Sequence, residues 1–384
     1  MNQLKKHESF AKQVQILKDR EMIIGDETGA TAYLSRRNYY RLNVYFHKFQ
    51  RENAKTKCPT YERKVSFEDI KAIEECDSCF RHLIFRYIEM IELKLRTMIS
   101  YRSSELFGPD VFDNGNCFDD QNHLLIGNVQ YSFRDLGVSV FSQQVSLILR
   151  PFSPTVCQKM LAASAQGLTD KDKRDILQLR KKYPVEYHHV LNYGSKFPAW
   201  VLIEFLSFGD LSKVYRYLKE SIQEEIGKCF NIFGTKLNYH HQQTAKSYNS
   251  HGKQKLNEFF FSSWLHCLST VRNICAHHGY LFRRKLDIAP SKKNDYFTIY
   301  QQSFTSKKKL EGYVFDAVIC IYSILADDER KSFVKDFEAF ISCFQRRKTT
   351  SYKIKLSDYG IPNNWKQIFQ AIDAEIVRVH TTVV

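Results

Sequence analysis

From Phe80 to Met98 the residues Phe80, Ile84, Tyr87, Ile88, Ile91, Leu95 and Met98 recur every three or four positions. That spacing returns to one face of an α-helix at each turn and continues for about five turns. Arg86, Glu89, Lys94 and Arg96 fall outside the stripe, on the side expected to meet water. Ser66-Phe-Glu-Asp69 has the pattern of a capping box and should open a helix. A helix so long, with one continuous apolar face, has to be covered by other elements over its whole length. With only 15 Gly and 8 Pro in 384 residues, against 29 Phe and 22 Tyr, the remainder of the chain also favours helices. The expectation is therefore a mainly α fold.

A second strong helix is expected from Lys255 to His278, ended at Gly279. Phe261, Trp264, Leu265, Leu268, Val271 and Cys275 form its apolar stripe, and His266, Ser269, Thr270, Asn273 and His277 its polar face. Further helices are expected from His7 to Lys18, from Leu161 to Tyr183, from Pro198 to Phe208 with a stop or bend at Gly209, and around Leu211 to Leu218. Tyr313–Ala326 and Glu329–Phe344 complete the set. Gly25 and Gly29 read as turns, residues 102–150 show no clean period, and residues 233–254 read as a long polar loop. The expected division is an N-terminal unit over 1–60, a helical domain over 61–290 in which 102–195 could form a separate lobe, and a basic loop with helical extension over 291–384.

The chain carries 57 Lys and Arg against 42 Asp and Glu, a net charge of +15. An excess of that size points towards a polyanion, nucleic acid before a membrane surface, because no amphipathic basic helix with an exposed apolar face is evident. Arg283, Arg284, Lys285, Lys292, Lys293, Lys307, Lys308 and Lys309 form the densest basic run, opposed only by Asp287 and Asp295. No apolar run approaches a membrane span, and the N-terminus lacks the apolar segment of a secretory signal. The expectation is a cytoplasmic protein whose ten cysteines are thiols.

Arg272-Asn-Ile-Cys-Ala-His-His278 is the stretch best suited to chemistry. Asn273 and His277 lie four apart, one helical turn from each other. The helix dipole at the last turn favours charged His277 and His278. His, Arg and Asn suit RNA cleavage without a metal or other cofactor. The histidine moves a proton of a ribose 2′-hydroxyl or of the leaving 5′-oxygen, the guanidinium steadies charge on phosphorus, and the amide orients. The same residues would also suit a solvated helix end.

This stretch resembles the active motif of HEPN ribonucleases, specifically the abortive-infection (Abi, AbiD/AbiF-type) family. Three further stretches resemble that family in the same order. They are Asn38-Tyr-Tyr-Arg-Leu-Asn-Val-Tyr45, Pro198-Ala-Trp-Val-Leu-Ile-Glu-Phe-Leu-Ser-Phe-Gly209 and Tyr359-Gly-Ile-Pro-Asn-Asn-Trp365. The resemblance implies a HEPN-type helical bundle with a small N-terminal unit and a helical C-terminal extension. It also implies phage-defence or toxin–antitoxin biology and RNA as substrate. Arg272 and His277 are the implied catalytic pair, with Asn273 between them and His278 beside. A composite site across a symmetric homodimer and a restraining or guiding non-coding RNA are implied as well. The alternative is a HEPN-type protein that holds a structured RNA without cutting it. The family commonly has a basic residue after the His pair, where this chain has Gly279-Tyr280, so Arg283 or Arg284 is expected to supply that charge.

Glu204 lies in an apolar stretch and either faces the surface or pairs with Arg272. Tyr39, Tyr40 and Arg41 either clamp RNA or form the core of the N-terminal unit. Cys76-Asp-Ser-Cys79 with His82, and the pairs His188-His189 and His240-His241, are metal-like in composition. They lack finger spacing, and adjacent histidines on a helix point about 100° apart, so no metal site is assigned.

Overall fold

The computed structural model describes residues 6–52, 59–61, 65–161, 168–232, 260–303, 312–346 and 352–383. The chain is mainly α-helical, with two short antiparallel hairpins among the described residues. The packing separates two compact units. The first comprises 1–89, 270–290 and 295–375, and the second 90–269, 291–294 and 376–384. N-terminal and C-terminal segments belong to one unit, and the long helix is shared.

That helix runs over Phe67–Phe107. Its start is the expected capping box: the Ser66 hydroxyl accepts from the Asp69 N–H at 3.1 Å, and the Asp69 carboxylate accepts from the Ser66 N–H at 2.9 Å. Phe80, Ile84, Tyr87, Ile88, Ile91 and Leu95 are buried as the stripe requires, with Met98 only half-buried. Arg96 departs from the expectation, being buried at 8% exposure. Its guanidinium has found enough acceptors to leave water, as described below.

In the first unit, helices Phe10–Asp19, Glu27–Arg36 and Tyr39–Phe46 precede a hairpin pairing Gln50–Glu52 with Pro59–Tyr61. Gly29 is not a turn. It sits in the first turn of Glu27–Arg36, where its N–H donates to the capping Asp26 carboxylate at 2.8 Å. Helices Asp295–Gln302, Val314–Ile324, Asp327–Arg346 and Trp365–Val383 complete this part of the chain, the last passing into the second unit after Glu375. Every residue of Val314–Ile324 is buried, so this is the central helix of the unit. Aromatic rings fill the space around it. Tyr322 stacks on Phe369 at 4.0 Å, and Phe80 on Phe340 at 4.3 Å.

In the second unit, Ser132 caps helix Phe133–Leu149 through a capping box with Asp135. Phe112 stacks on Phe141 at 3.9 Å, and Phe118 covers Gly137 so closely that a β-carbon there would lie 2.6 Å from its ring. Preceding this helix, His123–Ile126 pairs with Val129–Ser132 in a hairpin turned at Gly127, an element the sequence reading did not foresee. Helices Pro154–Leu161, Asp170–Lys182 and Pro184–Tyr193 gather round a small satellite cluster of Phe152, Met160 and Val190. The expected single helix from Pro198 to Phe208 is instead two elements. Ala199–Leu202 tightens into a 3-10 turn over Ile203–Phe205, and a new helix, Phe208–Tyr217, starts from the Ser207 cap. The bend thus falls before Gly209. Arg96 holds it by donating to the carbonyls of Ile203 at 2.6 Å and Leu206 at 2.7 Å, while Glu92 pairs with the same guanidinium at 2.6 Å.

Candidate functional site

Helix Phe260–Ala276 carries Arg272 and Asn273 near its end, with Val271 and Cys275 facing the interior. Arg272 is half-buried, its guanidinium carbon 5.6 Å from the centre of the Phe85 ring. Its Nη1 reaches the Asn273 side-chain oxygen at 3.5 Å, the outer limit of a hydrogen bond. Asn273, His277 and His278 are exposed. Three backbone bonds end the helix. His277 N–H donates to the Asn273 carbonyl at 2.9 Å, His278 N–H to Cys275 at 3.1 Å and Gly279 N–H to Ile274 at 2.7 Å. His278 occupies the left-handed region at φ 56°, the position at a helix end usually given to glycine. Gly279 has a different reason to be glycine. A β-carbon there would sit 2.9 Å from Ile274 Cγ2 and 3.1 Å from the Ile274 carbonyl oxygen.

The chain leaving this helix is anchored on buried charge. Glu74, Asp77 and Arg81, one turn apart on the long helix, are 1%, 0% and 3% exposed. Asp77 accepts from the Leu281 N–H, the Tyr45 hydroxyl at 2.7 Å and Arg81 Nη1 at 2.8 Å. Arg81 also donates to the Gly279 carbonyl at 3.3 Å. Glu74 gathers the Tyr33 hydroxyl at 2.9 Å and the guanidinium groups of Arg37, Arg41 and Arg81 at 3.6–3.7 Å. Burial pushes the Asp77 carboxyl up to about 6 against the pull of Arg81 and the Leu281 N–H. It likewise raises the Cys275 thiol to about 12, so that sulfur stays protonated.

Three of the four sequence stretches named above therefore meet in the first unit. Tyr45 belongs to the first, Arg272–His278 is the third, and Tyr359 of the fourth lies fully buried with its ring 5.3 Å from Phe80 and 5.9 Å from Phe282. The Pro198–Gly209 stretch belongs to the second unit, where Glu204 is exposed.

The expected RNA contacts divide. Arg283 is caged: its Nε pairs with Asp358 at 2.8 Å, Nη2 donates to the Tyr352 hydroxyl at 2.6 Å, and the rings of Phe49, Phe282 and Tyr352 lie 5.0–5.3 Å from its guanidinium carbon. These contacts hold its guanidinium in place. Arg284 pairs with exposed Asp287 at 2.6 Å, and Lys285 lies 5.9 Å from the Tyr313 ring. Lys292 and Lys293 fall in the second unit. Lys307, Lys308 and Lys309, and the pair His240-His241, lie outside the described residues. Tyr39 packs on Phe46 at 5.6 Å, its hydroxyl pushed up to about 12 by burial, whereas Tyr40 is 81% exposed. Arg41 is half-buried and joins Glu74. Lys48, not singled out in the sequence, lies beside Tyr280. Cys76 is buried and Cys79 exposed, and His189 bonds to the Lys196 carbonyl at 3.2 Å. Among the described residues no cluster of three His, Cys, Asp or Glu side chains could hold a metal ion.

Comparison with protein families matches residues 32–283 to the model described as Abi-like protein, about two thirds of the chain and most of the residues described above. The chain belongs to the Abi-like protein family. Membership points to abortive-infection phage defence. Comparisons with curated proteins and with solved structures give no match. The matched span of this Abi-like chain takes in the Tyr45, Asp77, Arg81 and Arg272–His278 assembly entire, and stops at caged Arg283. No helix among the described residues of this Abi-like protein is long and apolar enough to cross a membrane.

Proposed function

We propose that this Abi-like protein is a metal-independent endoribonuclease of HEPN type, acting as a homodimer in abortive-infection defence. One observation carries the reading. An exposed Asn273–His277 pair stands one turn apart at a helix end, beside an Arg272 held against Phe85, and the chain beyond is fixed by buried Asp77 and Arg81. Positioned groups of this kind supply rate by orientation.

In the proposed reaction His277 takes the proton of a ribose 2′-hydroxyl. The 2′-oxygen forms a bond to phosphorus as the bond to the 5′-oxygen breaks, and a second histidine gives the leaving oxygen its proton. Arg272 carries the charge that builds on the phosphoryl oxygens, and Asn273 orients the imidazole one turn away. The products are a 2′,3′-cyclic phosphate and a 5′-hydroxyl. His278 is the candidate for auxiliary proton transfer.

The test is cleavage of cellular RNA by purified protein in EDTA, with end-group analysis. Wild type should leave cyclic phosphate ends, and Arg272→Ala and His277→Ala should each lose cutting while staying within ~0.5–2 kcal/mol of wild-type stability. Equal cutting by both variants would remove the assignment. RNA held by wild type but never cut would favour the non-catalytic reading, in which the protein holds a structured RNA.

A further inference from the structure

Tyr280 carries two cations drawn from distant parts of the sequence. The Lys48 ammonium lies 5.2 Å from the centre of its ring and the Arg284 guanidinium carbon 5.0 Å. Lys48 also donates to the Arg283 carbonyl at 3.4 Å, and Tyr45 meets the ring edge-on at 6.4 Å. Both cations are half-buried, as is the ring. Two like charges drawn to one ring repel each other, and a ring contact offsets that repulsion only weakly. Among the described residues the anion paired with them is exposed Asp287 on Arg284, a surface pair worth little in water. The cluster is thus pre-organised with positive charge in excess.

Its place in the chain gives that excess a use. Tyr280 follows His278 by two residues, so their α-carbons lie within about 7 Å. A guanidinium fork and an ammonium point charge together match the oxygens of a phosphodiester, and neither reads a base. We infer that Lys48 and Arg284, held on Tyr280, grip an RNA backbone phosphate neighbouring the one presented to His277. This rests on the nuclease reading. It moves the basic group expected after the His pair onto Arg284 and onto a lysine from the N-terminal helices, and it makes the grip independent of sequence.

The experiment uses full-length His277→Ala protein, which should hold RNA without cutting it, and a labelled single-stranded RNA titrated between about 50 and 200 mM salt. Lys48→Gln and Arg284→Gln should each weaken binding several-fold, alike for unrelated RNA sequences. Each should also reduce the slope of log affinity against log salt by about 0.7. Lys48→Arg should keep the slope, and Tyr280→Leu, which removes the ring face but keeps an apolar side chain, should weaken binding through both cations. Slopes unchanged in both Gln variants and in their double would overturn the inference and leave the nuclease reading standing. No RNA binding by the parent protein would overturn both.

Discussion

The carboxylate of Asp77 accepts the Leu281 N–H through both oxygens, at 2.9 and 3.2 Å, across 204 positions of sequence. The bond fixes where the chain goes after His277 and His278. A buried acid on one helix thereby sets the path of the chain that leaves another.

Asp77 gives a prediction with a sign. Its carboxyl titrates near 6 in the fold and near 3.8 otherwise, so the folded state binds that proton more tightly. Ionisation then lowers stability as pH rises from about 4 to about 6. Compared with Asp77→Asn, wild type should lose relative stability across that window. The gap between their melting temperatures should shift against wild type from pH 4 to pH 7. A gap that stays flat would mean that Asp77 is ionised throughout.

Arg283 should behave as a structural residue. Arg283→Ala removes the Asp358 pair, the Tyr352 bond and three ring contacts from a half-buried place, and should cost about 1–3 kcal/mol. Thermal melting should fall while the salt slope for RNA stays at the parent value. A normal melt with a reduced slope would instead give it to the ligand.

Arg96 should matter as much in the second unit. Arg96→Ala leaves two turn carbonyls without this donor and should cost about 2–4 kcal/mol by denaturant unfolding. Arg96→Lys should recover part of it, since one ammonium lacks the fork that spans Ile203 and Leu206. A change under ~0.5 kcal/mol would show that the bend holds itself.

Assembly has its own test. One Arg272–His277 set per chain and two proton transfers per cut call for two copies. Sedimentation should show a dimer. Mixing wild type with excess His277→Ala should depress cutting more than dilution does. Activity that follows the amount of wild-type chain alone would rule out a shared site.

Much of the fold was legible where periodicity ran long. The Phe80–Leu95 stripe and the Val271–Cys275 face pack as read, and the Ser66–Asp69 box opens a helix as expected, one that runs on into that stripe. The pattern Ser132-Phe-Arg-Asp135 carries the same signal for helix Phe133–Leu149, within a stretch that shows no clean period. That hairpin exposes Leu125, Ile126 and Val129, so its strands lack the alternation that marks a half-buried sheet. The break at Ile203 was illegible for another reason. Its cause, Arg96, lies more than 100 positions away and looked like a surface residue.

The candidate site was legible only in part. Arg272, Asn273 and His277 were candidates through the resemblance of their stretch, with spacing placing Asn273 and His277 one turn apart, and the three do stand together at one helix end. The link of Tyr45, Asp77, Arg81 and Lys48 to Gly279, Tyr280 and Leu281 was not legible, because it is made by folding. Arg283 shows the complementary limit: a basic run announces charge, and only packing shows which member of it is paired with Asp358.

The left-handed backbone at His278 bears on redundancy. Two histidines side by side invite the idea that either can stand in for the other after mutation. His277 still follows the helix, its N–H on the Asn273 carbonyl, whereas at φ 56° His278 has already left it. The two side chains therefore leave backbones of different conformation. The two positions of the doublet are not interchangeable, so in the proposed reaction His278 can assist His277 but gives no genetic insurance against its loss.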